Sequence, residues 1–229
     1  QKILSRDAQY PVVRAMVATA IVNIDPSDSA AIEMIAEALQ DFHWDAHEIP
    51  ETQQTWNKLG QKRSVAQEKL LAGLTASGTE PDDDAYFRNV HEKERRLRSA
   101  ILLNDLGTKQ PEVIAALIAL LGCDVCNVRG EAADALGTIG SAASSAAPIL
   151  ATLLDDEEHY GIGGDFYGNG SVWHYPGDHA RDALTEIGVP ALPTLRTALK
   201  NNSRTIRRRA AEAIGNMGRA ACQPDHAAI

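Results

Sequence analysis

Apolar and small side chains recur along the second half of this chain with the period of an amphipathic helix. Between Val128 and Gly140, the residues Val128, Ala132, Ala135, Leu136 and Ile139 fall at i, i+4, i+7, i+8 and i+11, whereas Glu131, Asp134 and Thr138 fall on the opposite face. The stripe returns as Ala180, Ala183, Leu184 and Ile187, and again as Ile206, Ala210, Ala213, Ile214 and Met217. Each copy is paired with a second, more apolar segment, at 111–122, 144–156 and 189–201. Gly140, Gly188 and Gly218 stand where a helix C-terminus accepts a positive φ, and Pro111, Pro148 and Pro190 stand near the start of the helices that follow. The predicted unit is helix, tight turn, helix.

The step from Ala183 to Ala213 is 30 residues and that from Ala135 to Ala183 is 48, so the middle connection is about 18 residues longer. A unit of about 30 residues cannot bury its apolar face alone and must stack on its neighbours. The pattern therefore predicts an all-α fold, a right-handed α-solenoid (α-α superhelix) of about five or six helical pairs. It runs over residues 1–229 as a single array, with 155–179 an inserted loop rich in aromatic residues and glycine.

The Val-Arg opening, the paired alanines and the Ala-Leu-Gly ending of this unit resemble the HEAT-repeat family, specifically the short HEAT-like repeats of phycobilin lyases. Residues 128–140 match closely, 177–188 and 206–218 well, 12–24 and 96–107 loosely, and the stretch around Trp56 weakly, while 76–90 reads as a solvated loop. The resemblance implies a concave surface of stacked helices. Its main functional reading is a non-catalytic protein–protein interaction scaffold. The alternative is a HEAT-like lyase or modifying-enzyme subunit, since phycobilin lyases act on a bilin through pairs of HEAT-like subunits. Both ends read as interrupted helices, so the expectation is a segment of a longer solenoid able to self-associate through uncapped ends.

Composition narrows the partner. The aromatic share is 5% against 44% hydrophobic residues overall, so the core is built by closely approaching helices and not around large rings. The net charge of −9 argues against a general nucleic-acid binder, which needs an excess of Lys and Arg to neutralise phosphates. The longest apolar run, 113–122, is about half a membrane span, so no span is expected and the run reads as a buried helix. Three cysteines are too few for a disulfide framework and leave the compartment open, with the cytoplasm favoured.

Several motifs invite chemistry and are better explained by architecture. Arg14, Arg98, Arg129 and Arg207 share one position at the start of the repeated helix; as a ladder with Asp124 and Asn202 of the preceding turns they organise turns. Cys123 and Cys126 have the Cys-x-x-Cys spacing without a second pair, so they are read as structural, with no metal and no cofactor. The His47-Glu48 and His91-Glu92 pairs lie outside the positions that HEAT-like di-iron hydroxylases use. The run Arg204–Arg209 reads as a solvated face suited to an acidic protein partner. The 155–179 insertion holds Tyr160, Phe166, Tyr167, Trp173 and Tyr175, five of the eleven aromatic residues. Such residues are buried either against the solenoid or against a partner. The candidate partner-binding residues are Asp165, Phe166, Tyr167, Trp173, His174 and Tyr175 on the insertion, with Arg181 and Arg208 on the repeated helices; a protein of unspecified identity is the partner they imply.

Overall fold

A computed structural model of the chain describes residues 11–41, 50–75, 85–106, 111–162 and 172–218. The fold is all-α, a stack of helical pairs of the α-solenoid class, with one short β-hairpin in the second half. The chain forms two compact units, 1–108 and 109–229.

Unit 1 contains α1 (Pro11–Ile24), α2 (Ser29–Asp41), α3 (Pro50–Lys58), α4 (Gln67–Thr75) and α5 (Ala85–Asp105). Helix α2 packs against each of the other four. Its buried face, Ile32, Ile35, Ala36 and Leu39, meets Ala15, Ala18 and Val22 of α1 and Leu97, Ala100 and Leu103 of α5 in one core. Two neutral hydrogen bonds cross that core: Thr19 to Thr52 at 2.9 Å, and Gln40 Nε2 donating to Ser99 Oγ at 2.8 Å. Gly73 is needed beside the second, because a Cβ there would collide with both Ser99 and Gln40. The stretch 76–90 was expected to be a loop; its last residues, from Ala85 on, are instead the first turns of α5. Between Glu92 and Arg98, α5 carries half-buried charged side chains, with Glu92 and Arg96 paired one turn apart, and such a face hides the apolar stripe from a simple periodicity count.

Unit 2 contains α6 (Pro111–Leu120), α7 (Cys126–Ile139), α8 (Ala147–Leu153), α9 (Pro176–Ile187), α10 (Leu192–Ala198) and α11 (Arg204–Asn216). Helices α7, α9 and α11 lie side by side in one layer, and α8 and α10 back them in a second. The repeated stripe is the core of this unit. Val128, Ala132, Ala135, Leu136 and Ile139 are all buried, as are Ala180, Ala183, Leu184 and Ile187. On α11 the stripe is buried at Ile206, Ala210 and Ala213, whereas Ile214 and Met217 are only partly covered. Gly140, Gly188 and Gly218 have φ of 72°, 76° and 62°, the left-handed region that their helix ends require. Small residues let α7 and α9 approach closely: a Cβ at Gly137 would lie 3.0 Å from Ala183 Cα.

By length and composition, 126–153 could cross a membrane. As folded it is two helices, since Gly140 at φ 72° turns the chain between α7 and α8 and each buries a face on its neighbours.

The insertion closes at its base as a two-stranded antiparallel hairpin, β1 (Tyr160–Ile162) and β2 (Val172–His174), in the register Tyr160↔His174, Gly161↔Trp173 and Ile162↔Val172. Aromatic and β-branched residues on both arms favour this pairing, which satisfies backbone groups that an open loop would leave to water. Of the span 155–179, Asp155–Glu158 form the turn after α8, and 176–179 are the first turn of α9.

Candidate binding surface

The turn after α8 is the acidic run Asp155-Asp156-Glu157-Glu158, and its members are tied to helices on either side. Arg129, near the start of α7, donates Nε to Asp156 at 2.7 Å, an Nη to Glu158, and its other Nη to the Cys123 carbonyl at 2.9 Å. Burial opposes the Arg129 charge, but the hydrogen bonds and charges of the two carboxylates outweigh it and hold the guanidinium protonated well above its ordinary range. Asp155 accepts from Ser203 at 2.6 Å and Glu157 from Thr205 at 3.4 Å, at the start of α11. Arg209 reaches inward from α11, donating to the Leu154 carbonyl at 2.7 Å and to Asp178 of α9 at 3.0 Å. Its guanidinium lies against Gly177, where a Cβ would sit 2.8 Å from Arg209 Cζ.

Arg129 binds both turns that flank its helical pair, Asp156 and Glu158 in the following one and the Cys123 carbonyl in the preceding one. Arg207 does hold the turn before it, through the carbonyls of Asn201 at 2.7 Å and Asn202 at 2.8 Å. Arg14 pairs with Glu37 of α2 at 2.7 Å. Arg209 is a correction to the solvated-face reading of 204–209: it is buried at 3% exposure, because the turn carbonyl and Asp178 lie beneath it.

The outward side of the same layer carries a row of charges. Asp134 and Thr138 of α7 are exposed and Glu131 is half-buried, as their positions off the stripe predict. Asp134 spans to α9, where His179 Nδ1 lies 2.8 Å from both carboxylate oxygens. Burial alone would push the His179 imidazolium down. The Asp134 hydrogen bond and charge, with Asp182 and Asp178 behind them, outweigh that and raise it above its ordinary value. Arg181, two residues on, grips Asp182 through two nitrogens at 2.8 and 3.0 Å and reaches Asp178 at 3.2 Å and Glu212 of α11 at 3.5 Å. Its hydrogen bonds to Asp182 are the main cause of its raised pKa, against burial. Glu212 also accepts from Arg208 at 2.7 Å. The row thus consists of the Asp134–His179 pair and the Arg181–Glu212–Arg208 chain on α7, α9 and α11.

The insertion meets this row at its base. His174 of β2 stacks on His179, with ring centroids 5.5 Å apart and an interplanar angle of 23°. Tyr175, in extended conformation before α9, packs its ring at 5.8 Å from that of His159. Of the candidate residues read from the sequence, His174, Arg181 and Arg208 are brought onto one surface, and Tyr175 stands at its edge. Trp173 is placed by its backbone opposite Gly161 in the hairpin. Asp165, Phe166 and Tyr167 lie outside the described residues. Asp134, Asp178, Glu212 and His179 complete the row; their helical positions made them outward-facing, but only the stacking of α7, α9 and α11 shows that they meet.

Cys123 and Cys126 are half-buried, with Sγ atoms directed at the Val125 carbonyl at 3.5 Å and the His159 carbonyl at 3.9 Å. Among the described residues no three His, Cys, Asp or Glu side chains converge as a metal site. Cys222 and His47-Glu48 lie outside the described residues.

The family model described as PBS lyase HEAT-like repeat matches residues 128–156, which are α7, α8 and the first half of the acidic turn. The chain therefore carries HEAT-like repeats of the phycobilin-lyase type. Among solved structures it is similar to the complex of CpcE and CpcF of phycocyanin lyase from Nostoc sp. PCC7120, with 22% identity and a TM-score of 0.43 over 82% of this chain. This chain spans 65% of the length of that one. No curated protein matches the chain.

Proposed function

We propose that this chain is a phycobilin-lyase-like HEAT protein, which holds a protein partner on its repeats while a chromophore of the bilin class is attached to or removed from that partner. The observation that carries the reading is the match of 128–156 to the PBS lyase HEAT-like repeat. The geometry supports the manner of binding. The outward residues of the matched copy, Glu131, Asp134 and Thr138, open a charged row that continues over α9 and α11. Partner contact falls to Arg181 and Arg208 on that row and to Asp165, Phe166, Tyr167, Trp173, His174 and Tyr175 of the insertion. Aromatic anchors beside a polar rim are the usual composition of a protein-binding patch.

The test is to titrate the purified chain with phycocyanobilin, an open-chain tetrapyrrole, and record its visible absorption. Saturable change in the long-wavelength band at about one pigment per chain is the expected result. An unchanged spectrum at excess protein would remove the lyase-type reading.

A plain interaction scaffold is the second reading, and one observation favours it. The charges of the row neutralise one another, as Arg181 does with Asp178, Asp182 and Glu212, which suits a rigid recognition surface more than a reacting group. A scaffold would bind its protein partner with no pigment response.

A further inference from the structure

Helix α1 is apolar on both of its sides. The inner side, Ala15, Ala18 and Val22, is its share of the core of unit 1, where the helix packs on α2 and α3. The outer side is a second stripe, Val13, Met16, Val17, Ala20, Ile21 and Ile24, at i, i+3, i+4, i+7, i+8 and i+11. Val13, Met16, Ala20 and Ile24 are exposed on it, Met16 at 63% and Ile24 at 86%, and Val17 and Ile21 lie half-buried between them. Single exposed apolar residues are ordinary on a protein surface, whereas a continuous helical stripe of this length marks an interface. Charge is missing from it as well. Arg14 is the one charged residue of the helix, and it turns aside to Glu37 of α2 at 2.7 Å. The exposed sides of α7, α9 and α11 differ, since each carries acids or bases such as Asp134, Asp182 and Arg204.

We infer that the outer stripe of α1 is a contact between two copies of this chain, made by an antiparallel pair of α1 helices about a two-fold axis. Such a contact needs a surface that complements itself. The stripe meets that need, because its steps of 3, 1, 3, 1 and 3 residues read the same from either end. In an antiparallel pair Val13 therefore faces the partner's Ile24, Met16 the partner's Ile21, and Val17 the partner's Ala20. The ends complement each other too. Asp25 and Asp28 follow the C-terminus of α1, and antiparallel packing sets them beside the N-terminus of the partner's helix, where the dipole is positive. A parallel pair would bring like ends together. Other occupants fit less well: residues 1–10 offer Ile3, Leu4 and Tyr10 as their large apolar side chains, too few for six positions, and a charged partner finds no charge on the stripe. Size sets the strength of the contact. A helix of 14 residues is about 21 Å long, and a strip about 10 Å wide along it falls well short of the roughly 800 Å² per partner of a stable interface, so the dimer is weak and forms in the micromolar range or above.

The inference gives the self-association expected from the sequence a face and an orientation, and it stands without the bilin reading. Sedimentation equilibrium of the intact chain, from about 5 to 500 µM, tests it. A reversible monomer–dimer equilibrium is expected, weakened about tenfold or more by Met16→Glu with Ala20→Glu, two exposed positions. Circular dichroism checks that each variant keeps its helices. Val13→Glu and Ile24→Lys should each weaken the dimer alone and should recover it when combined, because the antiparallel pair alone sets position 13 of one copy against position 24 of the other. A parent chain that sediments as a monomer throughout overturns the inference, as does a dimer that changes less than about twofold in folded Met16→Glu with Ala20→Glu. A combined variant that associates no better than the weaker single one overturns the antiparallel pairing. If the parent is monomeric and deletion of residues 1–10 produces dimers, the stripe belongs to that segment and the inference fails.

Discussion

The turns at Gly60 in unit 1 and Gly140 in unit 2 are the same device set in different surroundings. Each glycine ends a helix, with φ of 55° and 72°, and each opens a seven-residue 3-10 segment, Gly60–Ala66 and Gly140–Ala146, that leads into the next helix. The space around them is filled by opposite means. In unit 2, Gly137 and Ala183 let α7 and α9 approach until backbones nearly touch. In unit 1, Trp56 is fully buried beside the turn and Arg63 lies 5.7 Å over its ring. Buried polar ties are present in both units: Thr19–Thr52 and Gln40–Ser99 cross unit 1, and Arg129 and Arg209 clasp carboxylates and carbonyls in unit 2. The backbone turn is what the repeat conserves in its geometry; packing and polar ties are free to change around it.

The largest way to break this comparison is to put a charge into the shared core. Ile139→Asp should cost about 4 kcal/mol or more, enough to unfold unit 2, because Ile139 is 7% exposed and no cation faces it from the repeated stripe. Ile214→Asp should cost less than half as much, since Ile214 is only partly covered on α11. Equal losses in urea melts would mean that α11 is buried as deeply as α7.

Next comes the charged clasp. Arg129→Met should destabilise unit 2 by about 3 kcal/mol, because it strands Asp156 and the Cys123 carbonyl in partly buried sites. Replacing Gln40 by Leu in unit 1 removes one donor from Ser99 Oγ, which still donates to the Arg95 carbonyl at 2.7 Å, and should cost about 1 kcal/mol. Chemical denaturation of the two variants side by side checks the ratio.

The glycine turns should behave alike. Gly60→Ala and Gly140→Ala each force an L side chain into positive φ, at about 1–2 kcal/mol, and a Cβ meets nothing closer than 3.9 Å at either site. Melting temperatures that fall for one and not the other would separate two turns that the geometry makes equivalent.

The smallest effect is pH-dependent. His179 has a raised folded pKa, so the stability from its pair with Asp134 is fully present below the ordinary histidine pKa of about 6.5 and is lost as pH rises through the folded value. With Asp134 half-exposed the contribution should be about 0.5 kcal/mol. Stability measured from pH 6 to pH 9 should show this loss in the parent protein and not in Asp134→Asn.

The repeated helices of unit 2 were legible because each local signal agreed with the next. The stripe, the glycine at the helix end and the proline after it all mark one boundary, and α7 and α9 bury every stripe residue. Around Trp56 the stripe is broken by polar residues and one large ring, so only the Leu59-Gly60 ending hinted at a turn like the others. Arg209 could not be told from Arg208 by sequence: one points into the turn and the other out to Glu212, and the difference is set by Leu154 and Asp178, which lie 55 and 31 residues away. The acidic run 155–158 read as the start of an insertion for the same reason. Its partners, Arg129, Ser203 and Thr205, are distant in the chain, and local pattern carries no information about them. The insertion's aromatic content was visible at once, and the pairing of its two arms depends on cross-strand register that composition does not reveal.

The claim that joins these observations is that the 154–158 turn locks α7, α9 and α11 into one cooperative layer. Hydrogen exchange measured by mass spectrometry on the intact chain carrying Arg129→Met tests it most directly. The account predicts that exchange speeds up together in peptides from α7, α9 and α11, by about a hundredfold, since the loss of about 3 kcal/mol expected for this variant in a shared opening equilibrium reaches every amide it protects. Acceleration confined to the first turn of α7, with α9 and α11 at their parent rates, would contradict it.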